Sequence, residues 1–152
     1  MAATSRFAVA VHALTAIAYR GARGEAWTTS EQIAESVGTN PVVVRRTLAA
    51  LARVGLVESQ TGRGGGTRLA RAPEQISLAA VYRAVEDGDG VLAHNPNPPN
   101  AGCAVSCAMR GALAPVFTAV DTAVDQALGR RTLADVLAQV PAPTRPPAPA
   151  PA

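Results

Sequence analysis

The stretch TSEQIAESVGTNPVVVRRTLAALARVGLVESQTGRGGGTRLA, residues 29–70, decides the fold because it contains two helix starts separated by a tight turn. Thr29 and Gln32 have the spacing of a capping box, in which each side chain satisfies a backbone N–H group at the start of a helix. Gly38 is placed to end that helix in the left-handed conformation that glycine tolerates best. The pattern predicts a helix of about two turns between Thr29 and Gly38.

A second helix is predicted to begin directly after this turn. Asn40 is a favourable N-cap, and Pro41 suits the first helical position because the N–H group that it lacks would have no partner there. The helical period then places Val44, Leu48 and Leu51 on the inward face. The outward face carries Val42, Arg45, Arg46 and Arg53. The sequence therefore predicts a helix with a basic free face.

A glycine-rich hairpin is predicted beyond the second helix. Residues 54–57, Val-Gly-Leu-Val, break the helix and lead into a strand that ends at about Gln60, and residues 67–70 form its return partner. The connection, Thr-Gly-Arg-Gly-Gly-Gly at residues 61–66, carries Arg63 on a backbone that glycine allows to lie close to another surface. A helix, a tight turn, a basic helix and a hairpin follow one another in a winged helix-turn-helix.

The flanking segments predict further helices. Ser5 is expected to cap a first helix that ends at about Tyr19, and Ser77 is expected to cap another that ends at Val85. The apolar stripe of the first helix is Phe7, Val11, Leu14 and Ala18, and that of the other is Leu78, Val81, Tyr82 and Val85. The predicted fold class is mainly α with a small β-hairpin wing.

The C-terminal half predicts one long helix after a loop. Residues 86–102 are rich in Asn, Pro and Gly, and a helix is expected from about Cys103 to Leu128, bent at Pro115. Its apolar positions recur every three or four residues, as in a coiled-coil seam: Val105, Met109, Leu113, Val116, Val120, Val124 and Leu128. Thr132 with Asp135 predicts the cap of a short last helix that ends at about Val140.

Charge is distributed unevenly along the chain. Residues 1–72 carry nine arginines and four glutamates, for a net charge of +5, whereas residues 73–152 have a net charge of −2. This division suits a module that binds a polyanion, joined to a module with another role. The sequence contains no grouping typical of a Ser-His-Asp catalytic triad, an acid pair or a phosphate loop, so an enzyme is not expected. No apolar run is long enough to span a membrane, and the protein is expected in the cytoplasm.

Each part of the predicted winged helix-turn-helix has a use on double-stranded DNA. The second helix fits the major groove with its first turn nearest the bases, the helix starting at Thr29 positions phosphate, and the glycine tip lies along the sugar-phosphate backbone. The candidate DNA-binding residues are Thr29, Thr39, Asn40, Pro41, Val42, Arg45, Arg46, Arg63, Gly64, Gly65 and Thr67. An alternative from another functional class is a winged-helix module that binds proteins without specific DNA binding.

Several collinear segments resemble the Rrf2 family of winged-helix regulators, the family of the iron-sulfur cluster regulator. The resemblance covers roughly residues 5–140. Its segments are Ile33-Ala34, Leu51-Ala52-Arg53-Val54-Gly55-Leu56-Val57, Gly62-Arg63-Gly64-Gly65-Gly66 with Leu69-Ala70-Arg71, Ile76-Ser77-Leu78, and Thr132-Leu133-Ala134-Asp135. It implies a homodimer that binds a dyad-symmetric operator, with the long helix forming the dimer interface and packing against the first helix of the partner.

The predicted organisation has four parts. Residues 1–85 form a winged helix-turn-helix DNA-binding domain, residues 86–102 a sensor loop, residues 103–140 the dimerisation helix and a short C-terminal helix, and residues 141–152 a disordered Pro/Ala tail. The chain is interpreted as a sequence-specific regulator, a repressor by hypothesis. Its DNA occupancy would respond to a redox signal or a small effector at residues 91–107.

Cys103, Cys107 and His94 are the candidate sensor residues. The resemblance implies three cysteines in this loop for members that bind an iron-sulfur cluster, whereas this chain has two, and cysteinyl clusters need about four ligands. No cofactor is therefore expected. Three interpretations stay open for the cysteines: small packing residues, redox-sensing thiols whose pKa is lowered at a helix N-terminus, or ligands of a metal or cluster.

Overall fold

The computed structural model describes residues 5–86, 88 and 90–142. Its helices are α1 (Arg6–Ala22), α2 (Ser30–Val37), α3 (Pro41–Arg53), α4 (Leu78–Val85), α5 (Ala104–Gly129) and α6 (Leu133–Leu137), and its strands are β1 (Val57–Gln60) and β2 (Gly66–Leu69). A short 3-10 turn, Pro73–Gln75, precedes α4. The expected fold class, mainly α with a β-hairpin wing, is confirmed.

The caps around the tight turn form as the sequence predicts. The Thr29 hydroxyl accepts a hydrogen bond from the Gln32 N–H, and the Gln32 side chain accepts one from the Thr29 N–H. Gly38 ends α2 with φ +74° and donates its N–H to the carbonyl of Ala34. Asn40 then caps α3 through the N–H of Val42 at 2.8 Å. Local side-chain hydrogen bonds thus fix both helix ends that define the turn.

The start and the buried face of α1 differ from the prediction. Ser5 occupies the N-cap position, but its side chain makes no capping hydrogen bond, and the helix continues past Tyr19 to Ala22. Of the predicted stripe only Leu14 is fully buried. The buried face is Ala10, Ala13, Leu14, Thr15 and Ile17. Phe7, Val11 and Ala18 pack at the edge of the core, because small alanines let α1 approach its neighbours more closely on the other side.

The return strand of the hairpin begins and ends one residue earlier than predicted, and a third segment pairs with it. β1 and β2 are antiparallel, with Val57 opposite Leu69 and Gln60 opposite Gly66. Beyond the hairpin, Thr28 forms a β-bridge with Thr67, through N–O distances of 3.0 and 2.8 Å. The residue just before the α2 cap therefore ties the wing to the helix-turn-helix.

One apolar core joins the N-terminal elements to the last helix. α1 contacts α2, α3, α4, α6 and β2. The large apolar side chains with no more than 2% exposure at the centre of this core are Leu14, Ile33, Val44, Leu51, Leu56, Ile76, Val81 and Leu133. Leu133 belongs to α6, so this short helix packs within the core of the segment predicted as the DNA-binding domain.

The long helix α5 begins and ends within one residue of its predicted bounds, and it is continuous across Pro115. It packs against α4, with an ion pair between Arg83 and Asp125 at 2.8 Å. No residue of α5 is buried. None of the helices in the described ranges, α5 included, combines the length and apolar character needed to cross a bilayer. Most of the tail predicted to be disordered, residues 143–152, lies outside the described residues.

Candidate nucleic-acid interface

The free face of α3 is set by what the helix buries. Val44, Leu48 and Leu51 are buried against the core, and this fixes the rotation of the helix about its axis. Arg45 and Arg46 consequently lie exposed on the opposite side. Val42, in the first turn, is also exposed, at 54% of its surface. An apolar side chain beside two arginines suits the floor of a major groove, where it can contact a thymine methyl group.

Arg45 makes an ion pair with α2. Its Nη2 donates to Oε1 of Glu31 at 2.7 Å, and both side chains are more than half exposed. The pKa of the Glu31 carboxyl lies below its usual value, first because of a hydrogen bond from its own backbone N–H and second because of the hydrogen bond from Arg45. Glu31 was absent from the residues that the sequence predicted, because no local pattern links positions on two different helices.

Arg46 lies in a different electrostatic environment. It lines a shallow surface cavity of about 220 Å³ together with Arg6 and Arg53. Within the described part of the chain, no carboxylate lies within 4.0 Å of Arg46. Arg46 and Arg53 carry positive charge at this cavity, and such a region attracts phosphate. Sequence reasoning missed Arg6 here, since only the packing of α1 on α3 brings it close.

The residues at the start of α2 and in the turn fix the positions of the two helix ends, and most of their polar groups are engaged within the protein. The hydroxyl and the N–H of Thr29 are both engaged in the capping box, so Thr29 fixes the helix end on which Ser30 and Glu31 lie. Thr39, in the turn, is half-buried and donates its N–H to the carbonyl of Ala34. Asn40 uses its side chain as the α3 cap and remains exposed, while Pro41 is half-buried. These residues hold the first turn of α3 in place.

The wing presents Arg63 and Gly64 at an exposed tip, with Gly65 half-buried behind them. A Cβ atom on Gly65 would lie 2.2 Å from the carbonyl oxygen of Gln60, so the tip needs glycine at this position. No ion pair within 4.0 Å involves Arg63 among the residues that are described. The tip therefore offers one cation on a backbone that can approach a partner closely.

Two other wing residues have structural roles. Thr67, predicted to contact DNA, is only 5% exposed, and its hydroxyl lies 3.2 Å from that of Ser59. A buried side chain cannot reach DNA, so this prediction is corrected: Thr67 holds the wing against Thr28. Arg68 forms an ion pair with Glu58 at 2.9 Å and lies over the ring of Trp27 at 4.6 Å.

Comparisons with known proteins agree with this architecture. Residues 3–139 match the Rrf2 family, described as an iron-dependent transcriptional regulator. The chain belongs to the Rrf2 family. YwnA of Bacillus subtilis (strain 168), named as an HTH-type transcriptional regulator, is 44% identical over 96 residues, which is 62% of this chain and 68% of YwnA. NsrR of the same strain, another HTH-type regulator, is 36% identical over 62 residues, 41% of this chain and 42% of NsrR.

Solved structures are similar over almost the whole chain. A crystal structure described as a DNA-binding protein is 36% identical with a TM-score of 0.66, and the match covers 88% of this chain and 99% of that one. IscR of T. potens is 26% identical with a TM-score of 0.64, and the match covers 92% of each chain. This Rrf2 protein is therefore a DNA-binding transcriptional regulator and not an enzyme.

The candidate sensor residues of this Rrf2 protein lie in the loop before α5 and in its first turn. Cys103 is the N-cap residue, but its side chain makes no capping hydrogen bond. The Cys107 thiol is exposed and lies 3.5 Å from the carbonyl oxygen of Asn100. The His94 ring packs on Phe117 with centroids 4.5 Å apart. His94 and Cys107 line one cavity of about 290 Å³, of which Cys103 is not a lining residue.

The residues of one chain do not fit an iron-sulfur cluster. A cysteinyl cluster needs about four ligands, usually thiolates. This Rrf2 chain has two cysteines, and in residues 5–86, 88 and 90–142 no three His, Cys, Asp or Glu side chains form a group that could hold a metal ion.

Proposed function

We propose that this Rrf2 protein is a homodimeric repressor that recognises a dyad-symmetric operator. The observation that carries the proposal is the exposed basic face of α3, which the buried Val44, Leu48 and Leu51 hold outward. A helix with such a face, preceded by a capped helix and followed by a wing, can enter the major groove with its first turn toward the bases. A dimer that occupies promoter DNA blocks transcription by its presence.

The residues divide by the contact that each can make. Asn40, Val42 and Arg45, in or near the first turn of α3, are placed to contact base edges. Arg46 and Arg63 have no carboxylate partner among the residues described, so their charges are available to phosphate. Gly64 and Gly65 let the wing backbone approach the sugar-phosphate ridge, and Thr29 and Thr39 support the turn.

The unpartnered face of α5 supports dimerisation. Val105, Met109 and Val116 are exposed at 66%, 43% and 51% of their surfaces, and they share one face of the helix. Ala112 lies exposed between Met109 and Val116, and Ala119 and Ala123 continue the exposed face beyond Val116. A large apolar strip on an otherwise polar surface marks an interface, and small residues allow two helices to approach closely. A second copy of α5 is the partner that this strip suits.

Salt dependence of DNA binding tests the roles of Arg46 and Arg63. We expect Arg46→Ala and Arg63→Ala each to weaken binding to every duplex by about 5- to 10-fold and to lower the salt slope by about one unit, since each removes one phosphate contact. Fluorescence anisotropy across a salt series gives both values.

Arg131→Ala is the matched control. Arg131 lies near the start of α4, because its backbone carbonyl accepts a hydrogen bond from the Leu78 N–H. Arg46 lies near the other end of α4, where Val85 lines the same cavity, so the control removes an arginine away from the proposed DNA-binding face. The control should keep the wild-type dependence of affinity on salt concentration.

Binding that is insensitive to salt and equal for all duplexes would instead favour a protein-interaction module, with α5 as its docking surface.

The loop and the N-terminus of α5 form the proposed signal-receiving element. Its residues are connected to the dimer helix, because Asp121 of α5 accepts a hydrogen bond from Val91 at 2.8 Å. A change at His94 or Cys107 can therefore alter how α5 sits on its partner. The two candidate signals are a thiol oxidant and a small effector in the adjacent cavity.

A test with peroxide separates these two signals. Anaerobically purified protein is expected to be colourless, and its DNA affinity is measured with and without hydrogen peroxide in the wild type and in Cys103→Ser/Cys107→Ser. A peroxide effect that the double variant lacks assigns the signal to the thiols, and an unchanged affinity makes the cysteines structural and directs the search to a small effector. Visible absorbance with bound iron and sulfide would contradict the cofactor-free proposal.

A further inference from the structure

We propose that Glu31 is a specificity-determining residue: it holds Arg45 so that this arginine reads a base edge and does not act as a general phosphate contact. The inference rests on the proposed sequence-specific DNA binding. It concerns a residue on α2 that positions a residue on α3. The ion pair between Glu31 and Arg45 spans fourteen positions and two helices.

The geometry leaves most of the arginine free. Only Nη2 of Arg45 has a hydrogen-bond partner among the described residues, Oε1 of Glu31 at 2.7 Å. A guanidinium has five N–H donors in a rigid plane, and the recognition of guanine needs two of them. One donor fixed by Glu31 restricts the side chain to fewer rotamers, so less conformational entropy is lost when the remaining donors meet a base. The contact therefore orients Arg45 and leaves its other N–H donors available to a base.

The charges give Arg45 and Arg46 different roles. The Glu31 carboxylate is ionised at neutral pH like an ordinary glutamate, and its own backbone N–H and Arg45 hold its pKa below the usual value. It offsets the positive charge of Arg45 at short range and weakens the attraction of Arg45 for phosphate. Arg46, one residue later, lines a cavity with Arg53 and has no carboxylate within 4.0 Å in the described part of the chain. The two adjacent arginines therefore have different roles: Arg46 contacts the DNA phosphates, and Arg45 contacts a base edge.

Glu31 also disfavours incorrect docking. It lies in the first turn of α2, at a helix end that would otherwise attract phosphate. When the protein sits at the wrong position along the duplex, the Glu31 carboxylate repels the nearby phosphate. When it sits at the correct position, the contact between Arg45 and a base offsets this repulsion. Specificity commonly arises from such a repulsive group as well as from attractive contacts.

The experiment uses Glu31→Gln, Glu31→Ala and the control Glu35→Gln. The Glu31→Gln substitution removes the charge and keeps an acceptor for Arg45, whereas Glu31→Ala removes both. Glu35 is exposed on the same helix one turn later and has no ion pair within 4.0 Å in the described ranges, so its substitution removes the same charge without releasing Arg45. Each protein is measured on two probes: a random-sequence duplex and the consensus duplex that the wild type enriches from a randomised pool.

We expect both Glu31 variants to bind the random duplex about 3- to 10-fold more tightly, with a salt slope steeper by about one unit, because both remove the carboxylate charge that offsets the charge of Arg45 and weakens its attraction for phosphate. Affinity for the consensus should change less, so the specificity ratio falls by about fivefold. Selection repeated with Glu31→Ala should relax the base positions that Arg45→Ala also relaxes.

Two negative outcomes can be told apart. A wild type that enriches no motif would overturn the proposed sequence-specific binding itself. A wild type that enriches a motif, with Glu31→Gln and Glu31→Ala keeping the specificity ratio of Glu35→Gln, would overturn only the role of Glu31. A loss of folding does not imitate the expected result, because an unfolded protein would not bind the random duplex more tightly.

Discussion

Val116→Asp is expected to convert the dimer into monomers and to weaken operator binding by about 100-fold or more. Val116 is 51% exposed near the middle of the α5 strip, and two copies of α5 would bury it against apolar neighbours. A carboxylate there would have to be desolvated without a partner, which strongly opposes association. A dimer gains about 100- to 10,000-fold in avidity from binding two half-sites at once, and a monomer loses that gain.

Thr118→Asp is the matched control for this prediction. It introduces the same charge two residues along the same helix, where the side chain points about 200° away from Val116. Among the residues that the structure describes, the Thr118 hydroxyl donates only to the carbonyl of Ala114. Sedimentation equilibrium and anisotropy on the enriched duplex give the outcome. A dimeric Val116→Asp protein with the affinity of Thr118→Asp would show that this strip of α5 is not the dimer interface.

Gly66→Ala should destabilise the protein by about 3 kcal/mol and weaken DNA binding, because it displaces the wing from its contact with Thr28. Gly66 has φ +153°, and a Cβ atom there would lie 2.6 Å from the backbone oxygen of Thr28. Backbone cannot move away without breaking the Thr28–Thr67 hydrogen bonds of 2.8 and 3.0 Å. Steric overlap and strain at positive φ each cost on the order of 1–3 kcal/mol.

Gly62→Ala separates the two contributions. Gly62 has φ +93° but open space around the added Cβ atom, so only the backbone strain applies and a loss of about 1 kcal/mol is expected. Urea unfolding followed by circular dichroism measures both variants. Equal stability of the two variants would mean that the wing does not rest on Thr28 as described.

The elements that the sequence predicts well are those whose determinants lie within four residues of each other. The capping box of Thr29 and Gln32, the left-handed Gly38 and the Asn40 cap all formed, because each depends on a hydrogen bond between near neighbours. The buried face of α1 was predicted less well, because alanines are as compatible with the core as the larger apolar residues. The structure buries Ala10 and Ala13, which the predicted stripe did not include.

The candidate site depended more on tertiary contacts. The face of α3 followed from its apolar period, so the exposure of Arg45 and Arg46 was predictable. The burial of Thr67 by Thr28, the Glu31–Arg45 ion pair and the grouping of Arg6 with Arg46 were not, because each joins residues that are distant in sequence. Alternation along a strand shows which residues share a face, and it does not show that another segment will cover that face.

Sequencing of the duplexes that the wild-type protein enriches from a randomised pool tests the central claim most directly. Two copies of α3 related by a dyad should select an inverted repeat whose half-sites are separated by about one helical turn of DNA, roughly 10 base pairs, or a multiple of it. Native mass spectrometry should find two protomers on that duplex. A pool that stays random, or a single half-site bound by one protomer, would contradict a dimeric, sequence-specific regulator.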